Sequence, residues 1–452
     1  MPPYVPRDRY GTFAVPLGEL GRLFAGSGRA RILRFNVSLS ALISARLPAT
    51  QHRDFRALWG GTACSSVALW TLLLGNAWIV YKLSDSSFWV GVSTFASMSP
   101  YLLAPFGGII ADRVERRLLV RSTRVGAFAV TSVLCVLAAT GVIAVWMVVG
   151  MALVQGLVRA VEIPADQALL ANVVPSDHLA SAVSLNSMTQ FGSRAVGPIL
   201  AGPLLATIGV EGAYGIGALF ALLAFTSIRR VETRSRGGVQ NLSAVFGNLR
   251  VGLSYVRSTG PVIALFFIVV MHCSLTMSFD AMLPGFAETE LHSPSGAFTL
   301  MTMGVGIGAF VGTAWLAMIG NTQRGRLLLY TGIASGVAPM FMAHSGHIPM
   351  AVASTVFMGS SQAMFMALSA VLLQEVVPDD VRGRVMSLYL MSAGGIMAMA
   401  NLGFGTLADR WGAPMLFMWP GAAFVAIICL SAVAGPHLRR VYRTGVVMPA
   451  TT

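Results

Sequence analysis

The sequence LLANVVPSDHLASAVSLNSM spans Leu169–Met188, and a second copy of its frame, LLQEVVPDDVRGRVMSLYLM, spans Leu372–Met391. The shared frame, LLxxVVPxDxxxxxxSLxxM, recurs at an offset of 203 residues. The same offset relates Gly209 to Gly412 and Gly156 to Gly359. The chain is therefore an internal duplication. A direct repeat between two apolar halves favours two helical bundles related by an axis along the membrane normal.

The composition is that of an integral membrane protein. Of the 452 residues, 55% are hydrophobic and only 11% are charged, and the mean hydropathy is +0.71. A soluble domain carries about 25% charged residues. The net charge of +13 comes from Arg residues that lie between apolar runs, so it indicates membrane topology and argues against nucleic-acid binding.

Twelve apolar runs are each long enough, at roughly twenty residues, to cross a bilayer as a helix. The predicted spans are 58–81, 88–110, 118–140, 142–165, 182–209, 212–229, 261–285, 296–320, 326–345, 347–374, 384–407 and 413–434. The predicted fold class is therefore all-α, with twelve transmembrane helices in two six-helix bundles.

Arginines predict the orientation of these spans, because basic residues in short loops stay on the cytoplasmic side. Both termini and the central loop are expected to be cytoplasmic. The arginines near the break after the second span are Arg113, Arg116, Arg117, Arg121 and Arg124. The predicted divisions are an N-terminal cytoplasmic tail (1–54), a first bundle (55–230), a cytoplasmic central loop (231–260), a second bundle (261–435) and a C-terminal cytoplasmic tail (436–452).

The loop after the second span carries a recognisable motif. Residues 108–117 read GIIADRVERR. This stretch resembles the loop between helices 2 and 3 of the major facilitator superfamily, where a carboxylate near a helix end can hold the two halves together as a latch. The alternative is a set of arginines that only fixes topology, with a capping Asp. The predicted latch residues are Gly108, Asp112, Arg113, Arg116 and Arg117.

The fifth span contains SRAVGPILAGP at residues 193–203, which resembles the antiporter motif of that superfamily. The resemblance points to Gly197, Pro198 and Gly202 and implies export against an inward proton gradient. A well-packed helix would also need small residues here. More widely, residues 55–440 resemble the branch of the superfamily that holds drug exporters and enterobactin-type siderophore exporters.

Ionisable residues inside predicted spans are functional candidates, because each costs about 3 kcal/mol at the centre of a membrane helix. Arg194 lies halfway along the fifth span, and Arg159 and Glu162 lie in the fourth. We expect Arg194 to face a cavity with Glu162 as its partner, and to bind an anionic substrate group or gate proton uptake. The alternative is a buried pair that only specifies packing. Asp166, after Pro164, is expected to be a solvated turn residue.

The seventh span offers a second proton site. On one continuous helix, His272, Thr276 and Asp280 would share a face at four-residue spacing. His272 and Asp280 could then carry a proton, or they could line the cavity as polar residues without a coupling role.

The sequence also excludes several classes of function. It has no phosphate-binding loop, no HExxH motif and no Cys or His spacing typical of a metal site, and its four cysteines lie inside apolar runs. We therefore expect no enzyme, cofactor or metal, and we expect any uphill transport to use an ion gradient.

The expected protein is a secondary transporter in the lipid bilayer of the inner (plasma) membrane. It would act as a monomer and export an amphipathic small molecule, drug-like or siderophore-like, in exchange for protons by alternating access. The alternatives are a lipid or lysophospholipid transporter and a non-transporting membrane sensor or scaffold.

Overall fold

A computed structural model describes residues 47–103, 113–235, 242–319 and 323–444. These ranges are α-helical, with short 3-10 helices at Pro48–Gln51 and Ser99–Leu103, and they contain no β-strand. The helices are α1 (Arg53–Ser84), α2 (Ser87–Met98), α3 (Arg116–Ala139), α4 (Val145–Leu170), α5 (Leu179–Thr207), α6 (Val210–Ile228), α7 (Leu242–Ser258), α8 (Gly260–Leu275), α9 (Leu283–Thr289), α10 (Pro294–Ile319), α11 (Arg324–Ala343), α12 (Ile348–Val376), α13 (Asp379–Trp411), α14 (Ala413–Val433) and α15 (Pro436–Thr444).

The sequence repeat reappears in the positions of the helices. The pair α4 and α12 begins at Val145 and Ile348, and the pair α6 and α14 begins at Val210 and Ala413, each pair 203 residues apart. Gly209 and Gly412 precede α6 and α14 with φ angles of 117° and 79°. Glycine adopts such angles without steric cost. The repeated sequence therefore folds into repeated helix ends and turns.

Many of the helices can cross a membrane. Among the described residues, nine helices are long and apolar enough to do so, and the pair α7 and α8, bent by 103° between Ser258 and Gly260, raises this to ten. The second predicted span continues into residues 104–112, which lie outside the described residues. The count of twelve therefore stays a prediction.

The prediction of one continuous span over residues 261–285 is wrong. Helix α8 ends at Leu275, α9 begins at Leu283, and the residues between them are not helical. Pro284 lies in the first turn of α9. In a continuous helix its ring would clash with the carbonyl group of Asp280, four residues earlier, so the helix cannot run through this point undisturbed. We call residues 276–282 the α8–α9 break.

Two amide side chains stabilise the backbone of the α8–α9 break. Gln362 on α12 donates from Nε2 to the carbonyl oxygen of Thr276 at 2.7 Å. The backbone N–H of Ala281 donates to Oδ1 of Asn401 on α13 at 3.2 Å. Irregular backbone inside a membrane protein needs such partners, since lipid offers none.

The central segment also differs from a plain loop. The predicted loop 231–260 contains α7, which packs against α8 and the start of α13. The bend between α7 and α8 turns the chain sharply just before the eighth helix begins.

The two halves, α1–α6 and α8–α14, pack against each other through α2 with α13 and α5 with α10. A cap joins them at one end. The carboxylate of Asp409, near the end of α13, accepts the backbone N–H of Ser87 at 2.7 Å and of Phe88 at 3.1 Å, and it accepts the hydroxyl of Ser86. We call this the Asp409 cap. It satisfies N–H groups at the start of α2 that have no partner within the helix.

Candidate functional site

Arg194 on α5 and Asp280 in the α8–α9 break form an ion pair between the halves. Arg194 Nη2 lies 3.8 Å from Asp280 Oδ1, and the side chains are 19% and 31% exposed. The guanidinium carbon lies 4.9 Å from the centre of the Trp70 ring on α1. Arg194 therefore contacts an aromatic face in its own half and a carboxylate in the other.

Local sequence explains how these three side chains meet. Gly197, one turn after Arg194, faces α1, and a Cβ there would lie 2.6 Å from the Cβ of Trp70. The missing side chain lets α1 approach α5 and brings the Trp70 ring over the guanidinium. Asp280 can approach Arg194 because α8 ends before it.

The predicted Arg194–Glu162 pair does not occur. Glu162 is fully buried and pairs with Arg159, one turn earlier on α4, at 3.1 Å between Oε2 and Nη1. Its other oxygen accepts the hydroxyl of Ser65 on α1 at 2.9 Å. Glu162 already has two partners beside it in the first half, so Arg194 pairs with Asp280 across the interface.

Arg159 also faces a cleft between α1, α2 and α4. The cleft is lined by polar Asn76, Tyr101 and Gln155 together with apolar Leu69 and Leu72. Arg159 therefore presents a cation to this cleft while Glu162 balances its charge.

A second buried ion pair was missed by the sequence analysis. Arg124 on α3 is only 1% exposed, and its Nη2 lies 3.4 Å from Asp166 Oδ1 on α4. It also donates to the carbonyl oxygen of Ala224 on α6 and to the hydroxyl of Thr62 on α1, both at 3.1 Å. This pair ties four helices of the first half together.

Both members of that pair correct a prediction. Arg124 was assigned to the arginines beside a loop, but it lies eight residues into α3, about 12 Å along the helix axis. Asp166 was expected in a solvated turn, but α4 continues past it to Leu170. The signal in the sequence was the apolar run beginning at Leu118, which already encloses Arg124.

His272 and Asp280 do not form one site. His272 is buried in α8, where its Nε2 lies 2.7 Å from the hydroxyl oxygen of Ser335 on α11 and its ring stacks on Phe365 at 4.4 Å. Asp280 lies beyond the end of α8, so the four-residue helical spacing does not extend to it. The expected shared face of His272, Thr276 and Asp280 is therefore wrong.

The two motifs are described only in part. In the loop motif, Gly108 and Asp112 lie outside the described residues. Arg113 is exposed, Arg117 is half-buried, and Arg116 donates its backbone N–H to Ser235 at 3.0 Å. In α5, Pro198 is buried, and a Cβ on Gly202 would collide with Thr299 of α10. The latch and antiporter roles stay predictions.

No group of three His, Cys, Asp or Glu side chains lies close enough to hold a metal ion in the described part of the chain. Several charged side chains instead form salt bridges within and between helices. Two repeated helical halves with a discontinuous helix at their interface are the architecture of the secondary transporters of the major facilitator fold.

The comparisons with known proteins identify the family. Residues 44–440 match the model of the transmembrane secretion effector family of the major facilitator superfamily, and the chain belongs to this family. Solved structures share the fold. The D-xylose–proton symporter superposes with a TM-score of 0.68 at 13% identity, over 85% of this chain and 98% of the symporter. A POT family transporter in complex with 5-aminolevulinic acid superposes with a TM-score of 0.66 at 12% identity, over 86% and 97%.

Relatives similar in sequence are exporters and transporters. A macrolide efflux protein A of Streptococcus pyogenes is 24% identical over 83% of this chain and 95% of its own length. A staphyloferrin A transporter of Staphylococcus aureus is 24% identical over 80% and 91%. An enterobactin exporter of Citrobacter koseri is 23% identical over 75% and 81%. The protein is thus a multi-pass membrane transporter and not an enzyme.

Proposed function

We propose that this protein exports an amphipathic small molecule, drug-like or siderophore-like, in exchange for protons. The names of its relatives support this substrate class, since they include macrolide efflux proteins and an enterobactin exporter. In this proposal the two six-helix bundles rock around a central site in the lipid bilayer of the plasma membrane. The protein acts as a monomer with both termini in the cytoplasm, as the arginine distribution favours.

The Arg194–Asp280 pair is the observation that carries the proposal. It joins one half to the other, and it involves the α8–α9 break, the type of discontinuous helix that forms binding sites in transporters. A proton bound to Asp280 would remove the negative charge that attracts Arg194. Protonation would therefore weaken a contact between the halves, which is what coupling of protons to alternating access requires.

The Asp409 cap supports the same cycle. It joins α13 to α2 at the end of the bundle opposite the arginine-rich loops. In the predicted orientation this end faces outward, so the cap would keep the exit path closed until the halves rock.

The test is transport into inside-out membrane vesicles that contain the full-length protein, with the vesicle interior acidified or not. The substrates are a fluorescent cationic dye and a catechol siderophore. We expect gradient-dependent uptake by wild type and its loss in Asp280→Asn. The matched control is Asp85→Asn, the same chemical change at an exposed acid between α1 and α2, in a backbone conformation that Asn also adopts.

Uptake that ignores the gradient in both proteins would refute proton antiport. Movement of lysophospholipid without any pH dependence would favour the lipid transporter instead. If no substrate moves and the Asp280 variant has no phenotype in cells, the sensor or scaffold alternative would replace the proposal.

A further inference from the structure

We infer that Asp280 and Trp70 form a binding site for the cationic group of a transported molecule, and that Arg194 occupies this site as a tethered competitor while it is empty of substrate. The inference rests on the proposed transport function and specifies its substrate class. A carboxylate beside the face of a Trp ring is chemistry that binds cations. In this structure the cation between them belongs to the protein itself.

Arg194 is held loosely in that position. The 3.8 Å between its Nη2 and Asp280 Oδ1 is longer than the 2.7–2.9 Å of a charge-assisted hydrogen bond. Both side chains are partly exposed, so neither is sealed inside the protein.

The Arg124–Asp166 pair shows what a structural pair looks like in the same protein. Arg124 is 1% exposed and adds two hydrogen bonds, to a backbone carbonyl and a hydroxyl, to its contact with Asp166. Among the residues that the structure describes, Arg194 has only a ring face and a more distant carboxylate. The contacts of Arg124 fix its side chain, whereas a ligand can displace the side chain of Arg194.

The backbone is held in place on both sides of the pair, since Arg194 lies within α5. Asn401 accepts the N–H of Ala281, next to Asp280, so the backbone that carries the carboxylate has its own support. Arg194 can swing away on its flexible side chain and leave Asp280 and Trp70 in place. An incoming cation would then replace one positive charge with another.

An anionic substrate fits this site less well. Arg194 has its charge balanced by Asp280, and an anion that approached the guanidinium would meet that carboxylate as well. The charges therefore favour a cationic substrate over the anionic group expected from Arg194 alone.

The experiment measures equilibrium binding of two dyes, cationic rhodamine 6G and anionic fluorescein, to the purified full-length protein in lipid nanodiscs. If Arg194 occupies the site for nine-tenths of the time, its removal raises apparent affinity about tenfold. We expect Arg194→Gln to bind rhodamine 6G about tenfold more tightly and Arg194→Lys, which keeps a tethered cation, to stay near wild type. Asp280→Asn and Trp70→Leu should both weaken binding, and Trp70→Phe should weaken it less.

Arg250→Gln, at an exposed arginine on α7, is the control for a general loss of positive charge and should bind as wild type does. Failure of Arg194→Gln to bind rhodamine 6G more tightly than wild type would overturn the inference, as would loss of fluorescein binding in that variant alone. These results are independent of proton-driven uptake. Wild-type transport can therefore succeed while the cation site fails, and the two proposals can be told apart.

Discussion

Removing the carboxylate of Asp409 should open the end of the transporter at which α13 meets α2. In Asp409→Ala, the backbone N–H groups of Ser87 and Phe88 and the hydroxyl of Ser86 lose their acceptor. These groups belong to the first half and the lost carboxylate to the second. The substitution therefore weakens only the state in which the halves touch at this end.

The size of the effect follows from the contacts. Loss of a helix N-cap costs about 1 kcal/mol, and loss of a negative charge at a helix N-terminus costs about 0.3–1 kcal/mol. Ser86 and Phe88 are partly exposed, so water can replace part of the lost hydrogen bonding. The net destabilisation of the closed state is about 1–2 kcal/mol, which multiplies the open-to-closed ratio by about 5–30.

Spin labels on α2 and α13 can measure that ratio. Trp89 and Trp411 are 40% and 60% exposed, so Trp89→Cys and Trp411→Cys provide label sites outside the packed interface. With the four native cysteines replaced, pulsed dipolar spectroscopy gives the distance distribution. We expect the longer distance to gain population in Asp409→Ala, and less in Asp409→Asn, which keeps one acceptor oxygen.

Arg410→Gln is the control, because it changes the neighbouring charge and leaves the cap intact. An unchanged distance distribution in Asp409→Ala would show that the cap does not hold the halves together, and the argument from hydrogen bonds would be refuted.

Two further predictions concern the first half. Arg124→Ala leaves Asp166, only 13% exposed, without its cation, and it should destabilise the protein by about 3–5 kcal/mol, seen as a lower thermal unfolding temperature in detergent. The double variant with Asp166→Ala should recover part of this loss, and no change in either variant would contradict the pairing. Gly197→Ala adds a Cβ 2.6 Å from a Cβ of α1, so transport should fall severalfold. The control is Gly150→Ala, where a Cβ meets nothing within 4 Å; it should keep activity and gain about 0.4–1 kcal/mol of stability, and equal activities in the two variants would contradict the close packing.

The helices were largely predictable because apolar length and the repeat constrain them together. The predicted spans 142–165 and 347–374 lie within a few residues of α4 and α12. Hydrophobicity fails where a helix stops inside the membrane. The α8–α9 break lies inside a predicted span, and its signals were Pro284 and the polar residues Thr276, Ser278 and Asp280.

The charged residues were predictable as candidates but not as pairs. The ion-pair partner of a charged residue depends on how the two helices are rotated and on which half of the protein supplies the partner. Neither follows from position along the chain. Glu162 lies on the helix that precedes the helix of Arg194 in the chain, yet its carboxylate pairs with Arg159 on its own helix. Asp280 became the partner only because its helix ends early, and the duplication gives no sign of this.

The two amides that support the α8–α9 break show how the copies diverged. At the offset of 203 residues, Gln362 corresponds to Arg159 and Asn401 to Pro198. In the first copy α1 runs unbroken, Arg159 carries charge and Pro198 packs in α5. The two copies have thus become different in function and can no longer replace each other. A chain assembled from two first halves would keep the helices and turns, but it would lack the side chains that let its central helix end within the bilayer.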